Sequence, residues 1–580
     1  MARALGRRRP PRLRPRRRRR IRRHRRHEQG RPPRARHPHP HRTRPRRRHP
    51  HRPARHPARP LRAGRRGLPR HQRLGVRHLG DAVTENATRL ARPLLLATLA
   101  AALVILPESS ARAGEGAALA EGPPSVPAAV PVTPAAVAAP SDAAGATSGA
   151  LPGGEFTFGS YGRIVAGSDL RGGSGYPTNV VSHGPRLHEA PYLELDLAYR
   201  LTAESGARFT TVTTLAVTDA LLHYDGDFGG ALALRNAYVE AAEFGAPGLR
   251  IWAGSRMWRG DDIHLLDLWP LDELNTVGGG LSLDLPADLR VRLHAGVNRV
   301  ADRTTYQERT VPARGRAGTE QLLLLDRQRL LASARVEQHF HGLGDFGARW
   351  LLYGETHRVG EGEFIDDEDT RRDLPDDVGF LLGAQLGGWH APSGSFVNVF
   401  LRWATGLAAY GELGLPTSTD ANLRARGARQ LRAGLSANAE LGPAGIMAAA
   451  FVQQFRVPHR TRFNPDDYTE AVLALRPVWY VTDHLHAGAE VSWQTRAPRG
   501  LSPANDAWER PEVLQFALLP ALSLERGTYS RPQLRGIWSV SLRNDAARNL
   551  FPDGDRRGEE RVVHFLGVGA EWWFNSSSYP

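Results

Sequence analysis

The feature that most constrains the fold is a series of short alternating segments that fills the chain from Glu155 to its end. Polar and apolar residues alternate over about 9–12 residues at a time, between clusters of Gly, Pro, Asn and Asp. Examples are residues 192–201, 208–218, 289–300, 396–404, 472–481, 485–493, 533–542 and 562–574. No apolar stretch of about 18 residues occurs here, so no transmembrane helix is predicted. The pattern favours an all-β fold, a transmembrane antiparallel β-barrel with apolar residues toward lipid.

The length of this region sets the size of the barrel. Residues 154–580 provide about 16–18 strands, at roughly 10 residues per strand plus turns and longer loops. A barrel of that width encloses a water-filled channel, which an inward-folded loop must narrow to make it selective. A large soluble β-sandwich or propeller is the alternative, and the final strand and an export signal both oppose it.

The last segment, residues 562–574, has the pattern of a closing strand. With a period of two, one face is mostly apolar and carries Leu566, Val568, Ala570, Trp572 and Phe574. The other face carries Phe565, Gly567, Gly569, Glu571 and Trp573. A strand that ends on an aromatic residue resembles the signal that barrel-assembly machinery recognises, although NSSSYP follows it in this chain.

The charge of the chain divides sharply near residue 82. Residues 1–82 hold 32 Arg and two acids, whereas residues 83–580 hold 46 Arg and 57 acids, a net charge of −11. The first segment, rich in Arg, Pro and His, cannot bury a core and is predicted to be disordered. Three interpretations of this segment are open. It is an arm that binds nucleic acid, a basic extension of an envelope protein, or the product of translating GC-rich DNA upstream of the true start codon. The last is favoured because an export signal follows, so no nucleic-acid partner is predicted.

Residues 83–113 have the layout of a secretory signal peptide. A short basic stretch precedes an apolar run at 93–106, and an Ala-Arg-Ala cleavage site ends at Ala113. A short membrane anchor is the alternative, but the run is brief for a membrane span. Residues 114–153 are rich in Ala, Pro, Gly and Ser, and are predicted to be a linker with polyproline character.

The segment 251–272, IWAGSRMWRGDDIHLLDLWPLD, places tryptophans beside carboxylates and arginines. A sugar-binding surface needs this combination, because rings stack on a pyranose while charged groups hydrogen-bond its hydroxyls. The Asp and His residues could instead hold a divalent ion, and paired carboxylates could serve a glycosidase. A metal site is not favoured because the segment has one histidine, and a sugar channel explains the paired carboxylates with fewer assumptions than a glycosidase. A serine hydrolase is not favoured either, because the chain lacks a Gly-x-Ser-x-Gly elbow. No metal, cofactor or enzymatic activity is predicted.

The same segment resembles the constriction loop of the maltoporins, trimeric sugar-selective channels of the outer membrane. Its residues at family spacing are Trp252, Arg256, Asp262, His264 and Asp267. Trp269 replaces the family's loop tyrosine, and Gly260 replaces a basic residue. Other stretches similar to the family are FTFGSYGRI at 156–164, RLHEAPYLEL at 186–195, LRNAYVE at 234–240 and the chain end at 571–574.

The resemblance implies a slide of aromatic rings, along which a sugar moves by stacking, and a polar track that exchanges hydrogen bonds with its hydroxyls. The implied slide residues are Tyr161, Tyr192, Trp269 and Trp573. The implied polar-track residues are Arg163, Arg186, Glu194, Arg235, Asp262 and Asp267. Phe228 is implied as a ring donated across the trimer, and Trp252 and Trp258 are expected to pack or to lie in an interfacial girdle.

On this basis we expect a homotrimer in the bacterial outer membrane that passes maltose- or maltodextrin-type saccharides by facilitated diffusion. The expected partners are the saccharide, outer-membrane lipid and lipopolysaccharide, and the barrel-assembly machinery. A general porin, or a porin for another substrate without a saccharide site, is the alternative.

Overall fold

The computed structural model describes the barrel region in several ranges. They are residues 154–220, 229–298, 307–312, 319–324, 327–365, 371–412, 416, 418–458, 464–502, 505–552 and 554–576. The predicted segments 1–82, 83–113 and 114–153 lie outside the described residues, and so does Phe228.

Eighteen strands form one closed antiparallel sheet, which confirms the predicted β-barrel. Its strands are β1 (Gly154–Ser168), β2 (Tyr192–Thr202), β3 (Arg208–Ala220), β4 (Gly229–Ala242), β5 (Leu249–Arg259), β6 (Glu273–Leu285), β7 (Leu289–Asn298), β10 (Arg329–Leu343), β11 (Phe346–Val359), β14 (Asp377–His390), β15 (Ser395–Gly406), β16 (Arg429–Glu440), β17 (Ala444–Arg456), β18 (Asn464–Tyr480), β19 (Leu485–Arg499), β20 (Glu512–Ser523), β21 (Gln533–Arg543) and β22 (Val562–Phe574). Two small hairpins lie outside the sheet, β8 (Gln307–Pro312) with β9 (Thr319–Leu324) and β12 (Gly362–Ile365) with β13 (Arg371–Leu374).

The sheet closes because β1 pairs with both β2 and β22. Closure leaves no unpaired sheet edge, which a strand-built membrane protein requires because lipid offers no hydrogen bonds. No helix among the described residues is long and apolar enough to cross a membrane. The short helices are Leu407–Tyr410, Asp545–Arg548, Arg556–Glu559 and His264–Leu266.

The alternation of polar and apolar residues that was predicted for residues 562–574 is present in β22. Leu566, Val568 and Phe574 are exposed on the outer wall, whereas Phe565 and Glu571 are buried inside. Other strands repeat the arrangement, with exposed leucines outside and polar residues inside. The period of two therefore sorts apolar side chains toward lipid and polar side chains toward the lumen.

Short turns and long connections alternate around the barrel. The turns are residues 203–207, 243–248, 286–288, 344–345, 391–394, 441–443, 481–484 and 524–532. All lie at the end of the barrel where β1 begins and β22 finishes. In outer-membrane barrels the short turns face the periplasm and the longer loops face outward.

Three long connections and one turn fold into the lumen. We name them the first loop (residues 169–191), the constriction loop (260–272), the third loop (407–428) and the inner turn (524–532). Within the described residues, the predicted inward-folded loop is thus accompanied by three further segments that enter the lumen.

The constriction loop docks on the opposite wall through apolar side chains. A methyl group at Gly383 would lie 2.7 Å from Leu271 Cδ2, and one at Gly434 would lie 2.8 Å from Ile263 Cδ1. Both glycines therefore give the loop room to approach β14 and β16. Ile263 and Leu268 are fully buried, so the loop rests on a packed apolar base inside a polar lumen.

Candidate functional site

The site is built where β1 meets its two neighbours. Tyr161 and Arg163 alternate with outward-facing residues on β1 and point inward together. In the strand register, Tyr161 lies opposite Glu194 on β2 and Trp573 on β22. Four residues predicted from distant parts of the chain are therefore brought to one patch of wall.

Arg186 reaches this patch from the first loop, and not from β2, which begins only at Tyr192. The stretch 186–195 therefore contains both the end of the first loop and the start of β2. The Arg186 backbone N–H donates to Leu265 O of the constriction loop at 3.1 Å. Its guanidinium donates to the Tyr161 hydroxyl at 2.9 Å and to Glu189 at 2.8 Å.

Tyr192, Glu194 and Arg235 form a second group beside the first. The Arg235 guanidinium donates to both the Glu194 carboxylate and the Tyr192 hydroxyl. The register of β3 and β4 slips at Arg235, since Thr214 pairs with Asn236 and Leu215 pairs with Leu234. Such a β-bulge inserts one residue and re-aims its side chain, which directs Arg235 into the lumen beside inward-facing Asn236.

The rings of the two groups lie side by side. The centroids of Tyr161 and Tyr192 are 5.9 Å apart. The guanidinium carbons of Arg163 and Arg235 each lie 5.5 Å from the Tyr192 ring centroid. The structure thus combines the predicted aromatic and charged residues in one contact network.

Asp267 of the constriction loop joins the same network. Its carboxylate accepts from Arg163 at 3.3 Å and lies 4.0 Å from Arg186. Burial alone would raise the pKa of Asp267, but the charges of Arg186 and Arg163 outweigh it and hold that pKa below its usual value. Asp267 therefore acts as an anion that ties the loop to β1.

Asp262 and His264 also lie on the constriction loop. Asp262 Oδ2 is 3.8 Å from His264 Nδ1, too far for a hydrogen bond. This oxygen is buried and has no hydrogen-bond partner among the described residues. Burial lowers the pKa of His264, so its ring is neutral, and no cluster of metal-ligating side chains occurs in the described part of the chain.

Trp269 lies farther along the loop, toward β6. The Arg259 guanidinium stacks over its ring at 4.0 Å, and Arg259 also pairs with Glu273 at 3.0 Å. Only 7% of the Trp269 surface is exposed. Trp252 and Trp258 instead stack on each other at 5.5 Å in a buried cluster with Leu274 and Leu331, so they pack as expected.

Glu571 is a charged residue of the site that was not among the predicted polar-track residues. It is 1% exposed and accepts from Arg186 at 3.3 Å, Arg531 at 2.8 Å and Arg535 at 2.6 Å. These arginines come from the first loop, the inner turn and β21. Its inward position could be read from the period of β22, but its partners are distant in sequence and could not.

Two further rings extend the aromatic line below Trp573. Tyr529 enters from the inner turn, and Phe396 is the second residue of β15 at the short-turn end. The His264 ring lies 5.7 Å from Trp573 and 5.2 Å from Tyr529, and Tyr529 lies 5.8 Å from Phe396. The series Tyr192, Tyr161, Trp573, Tyr529 and Phe396 therefore descends from the loop end of the barrel to its turn end.

The inner turn is fixed to the wall on both sides of Tyr529. The Thr528 hydroxyl donates to Asn438 at 2.6 Å and to Glu440 at 2.7 Å. Arg531 binds Glu571 and also stacks over the Trp573 ring at 4.4 Å. No motif in residues 524–532 marks them as part of the site, because only tertiary contacts bring them there.

Comparison with known proteins is consistent with this geometry. The model of the LamB porin family matches residues 156–574. A comparison with curated proteins returns no match.

Several solved outer-membrane proteins resemble the fold at low identity. The DcaP channel of Acinetobacter baumannii is 10% identical with a TM-score of 0.37, over 74% of this chain and 100% of that chain. OccAB2 of the same organism is 11% identical with a TM-score of 0.37, over 74% and 100%. OprB of Pseudomonas putida is 10% identical with a TM-score of 0.36, over 73% and 94%. At these TM-scores the likeness carries no argument about substrate or assembly.

The family match is of a different kind, because it covers more than half of the chain and extends through the whole barrel from β1 to β22. This chain belongs to the LamB porin family.

Proposed function

We propose that this porin passes maltose- and maltodextrin-type saccharides across the outer membrane by facilitated diffusion. The observation that carries the proposal is the descending series of rings beside a network of arginines and carboxylates. Tyr192 opens β2 at the loop end, and Phe396 lies at the turn end, so the series extends along the barrel. Aromatic rings can stack their apolar faces on a pyranose.

The polar groups beside the rings supply both kinds of hydrogen-bonding atom. Arg163, Arg186 and Arg235 are donors, and Glu194 and Asp267 are acceptors. The buried Oδ2 atom of Asp262 is an acceptor without a partner in the described chain, and a sugar hydroxyl would satisfy it. Many weak contacts suit a channel, because the sugar must leave as readily as it enters.

Assembly and export are part of the same proposal. We infer a homotrimer, with Phe228 contributed across the interface, in contact with outer-membrane lipid and lipopolysaccharide after insertion by barrel-assembly machinery. This follows the resemblance to the maltoporins.

The proposed maturation removes the signal peptide before Gly114 and leaves the linker on the barrel. N-terminal sequencing of the protein from outer membranes should begin at Gly114. A mature chain that retains the basic residues of segment 1–82 would contradict this assignment.

Tyr529 provides the test of the saccharide path, because it is one of the two rings that only the fold reveals. We expect Tyr529→Ala to weaken maltose affinity about fivefold, since a lost ring contact costs on the order of 1 kcal/mol. The readout is the concentration of maltose that gives half-maximal liposome swelling. Tyr199→Ala removes a ring that is 44% exposed on the outer wall and should leave that concentration unchanged. If the two variants have the same half-maximal maltose concentration, Tyr529 does not belong to the saccharide path.

A further inference from the structure

Two arginines face each other on the wall opposite β1. Arg402 of β15 and Arg432 of β16 are direct register partners. Only 6% and 8% of their surfaces are exposed, and both lie on the lumen side. Like charges placed directly across two strands repel each other, so the arrangement is unfavourable unless an opposite charge joins it.

The described part of the chain supplies no such charge at close range. Other lumen arginines, such as Arg163, Arg335 and Arg531, form salt bridges with carboxylates. Within the described ranges, no carboxylate oxygen lies within 4.0 Å of Arg402 or Arg432. Within the described residues, Arg402 and Arg432 are therefore two adjacent lumen arginines that have no carboxylate partner at that distance.

Neutral groups hold both side chains in place without cancelling their charge. Arg432 donates through Nε and Nη2 to the Gln453 amide oxygen, at 3.0 and 2.8 Å. Arg402 donates through Nη2 to the Ala408 carbonyl of the third loop at 3.3 Å. The guanidinium groups are thus held by a backbone carbonyl and an amide oxygen rather than by carboxylates.

Besides these hydrogen bonds, both arginine side chains have further N–H donors. Arg402 Nε is fully buried and has no hydrogen-bond partner in the described structure. The Nη1 atoms of Arg402 and Arg432 are not among the buried unpartnered atoms, and no described group accepts from them, so they keep contact with solvent. The two Nη1 atoms are therefore the donors available to an oxyanion, because Arg402 Nε has no contact with solvent.

The pair faces the part of the constriction loop that carries Trp269. Gly383, the register partner of Arg402 on β14, accommodates Leu271 of that loop. Glu273 interacts electrostatically with both arginines, but its carboxylate is engaged by Arg259, which stacks on Trp269. Burial, and then the charge of Arg432, lower the pKa of nearby His183 to about 3, so this ring adds no charge.

We propose that Arg402 and Arg432 form an anion subsite that binds the carboxylate or phosphate group of a charged saccharide. This proposal rests on the saccharide-channel function and narrows its substrate class. Two adjacent guanidinium groups match the oxygens of a carboxylate or phosphate and form strong charge-assisted hydrogen bonds.

The test compares a neutral disaccharide with its carboxylate analogue in planar bilayers of the full-length porin. Block of the ion current by maltose, by maltobionate and by inorganic phosphate is titrated at constant ionic strength. We expect maltobionate to bind about tenfold more tightly than maltose in the wild type, as for one or two charge-assisted hydrogen bonds. Phosphate block in the absence of sugar reports the subsite independently of saccharide binding.

Arg402→Gln/Arg432→Gln should abolish the preference for maltobionate and the phosphate block, and leave maltose block unchanged. Arg476→Gln is the matched control, because Arg476 is a buried lumen arginine already paired with Glu490 at 2.7 Å. Arg402→Lys, which keeps the charge, should retain part of the preference if the glutamine variant folds poorly. Equal binding of maltose and maltobionate by the wild type, or a preference that survives the double substitution, would overturn the subsite. Loss of maltose block with retained phosphate block would instead reject the saccharide function alone.

Discussion

At the scale of single residues, the site depends on carboxylates that each serve several arginines. Glu571 receives one arginine from the first loop, one from the inner turn and one from β21, while 1% of it is exposed. A buried charge with this many donors is stabilised only while its partners remain. Glu571 therefore fixes two insertions to the closing strand of the barrel.

Replacement of Glu571 tests this role in stability. We expect Glu571→Gln to lower the free energy of unfolding by about 3 kcal/mol, because three buried arginines lose their shared anion. Guanidinium titration of the detergent-solubilised barrel measures the change. Glu155→Gln breaks an ion pair with Arg200 whose side chains are 67% and 51% exposed, and it should cost less than about 1 kcal/mol. Equal losses in the two variants would show that Glu571 has no special role.

Trp269 is the predicted slide residue that lies outside the descending series of rings, and the Arg259 guanidinium stacks over it. We expect Trp269→Ala to weaken maltohexaose affinity about fivefold through the loss of one stacking face. Ion conductance should stay the same or rise, since a large side chain leaves the narrow part of the lumen. Titration of current block measures both quantities, and unchanged sugar affinity would remove Trp269 from the slide.

At the scale of elements, the strands were predictable and the insertions were not. Strand positions follow from a local period of two, so the predicted segment 192–201 agrees with β2 at Tyr192–Thr202. The first loop and the inner turn enter the lumen through partners far away in sequence, such as Leu265 for Arg186 and Glu440 for Thr528. A single sequence contains no local signal for such pairings.

The candidate site likewise contains some residues that could be predicted from the sequence and others that could not. Tyr161, Arg163 and Asp267 could be identified because their spacing resembles a known family, and the fold brings them together. Tyr529 and Phe396 could not, because neither lies in a segment with that spacing. The bulge that aims Arg235 inward is also invisible in the sequence, since it depends on how β4 pairs with β3.

The third loop contains a group that should respond to pH. Glu412 accepts from the Asn275 backbone N–H at 2.7 Å and from Asn298 at 3.3 Å. Burial raises the pKa of Glu412 from 4.5 to about 7, with those hydrogen bonds opposing the rise. A carboxyl whose pKa is raised on folding contributes stability below pH 4.5, and this is lost as pH rises through 7.

We therefore expect the free energy of unfolding to fall by an amount of order 3 kcal/mol between about pH 5 and pH 8. Glu412→Gln should flatten most of this dependence, because the amide cannot ionise. Guanidinium titrations of both proteins across this range measure the effect. A wild-type stability that rises with pH over the same interval would contradict the assignment.

At the scale of the whole molecule, the described chain closes into one barrel of eighteen strands whose interior carries buried charged residues. The region from residue 83 onward carries a net charge of −11, yet its lumen contains many arginines paired with buried carboxylates. Four insertions from both ends narrow this lumen around one line of rings. The described insertions therefore leave a narrower lumen than an empty barrel of eighteen strands would have.

The central claim is that this constriction binds saccharides. Single-channel conductance of the purified barrel, residues 114–580, is measured in planar bilayers and titrated with maltohexaose and then with sucrose. We predict saturable block of the ion current, with tighter binding of maltohexaose because it spans more rings of the slide. Open channels whose current neither sugar reduces at any concentration would contradict the account and leave a porin without a saccharide site.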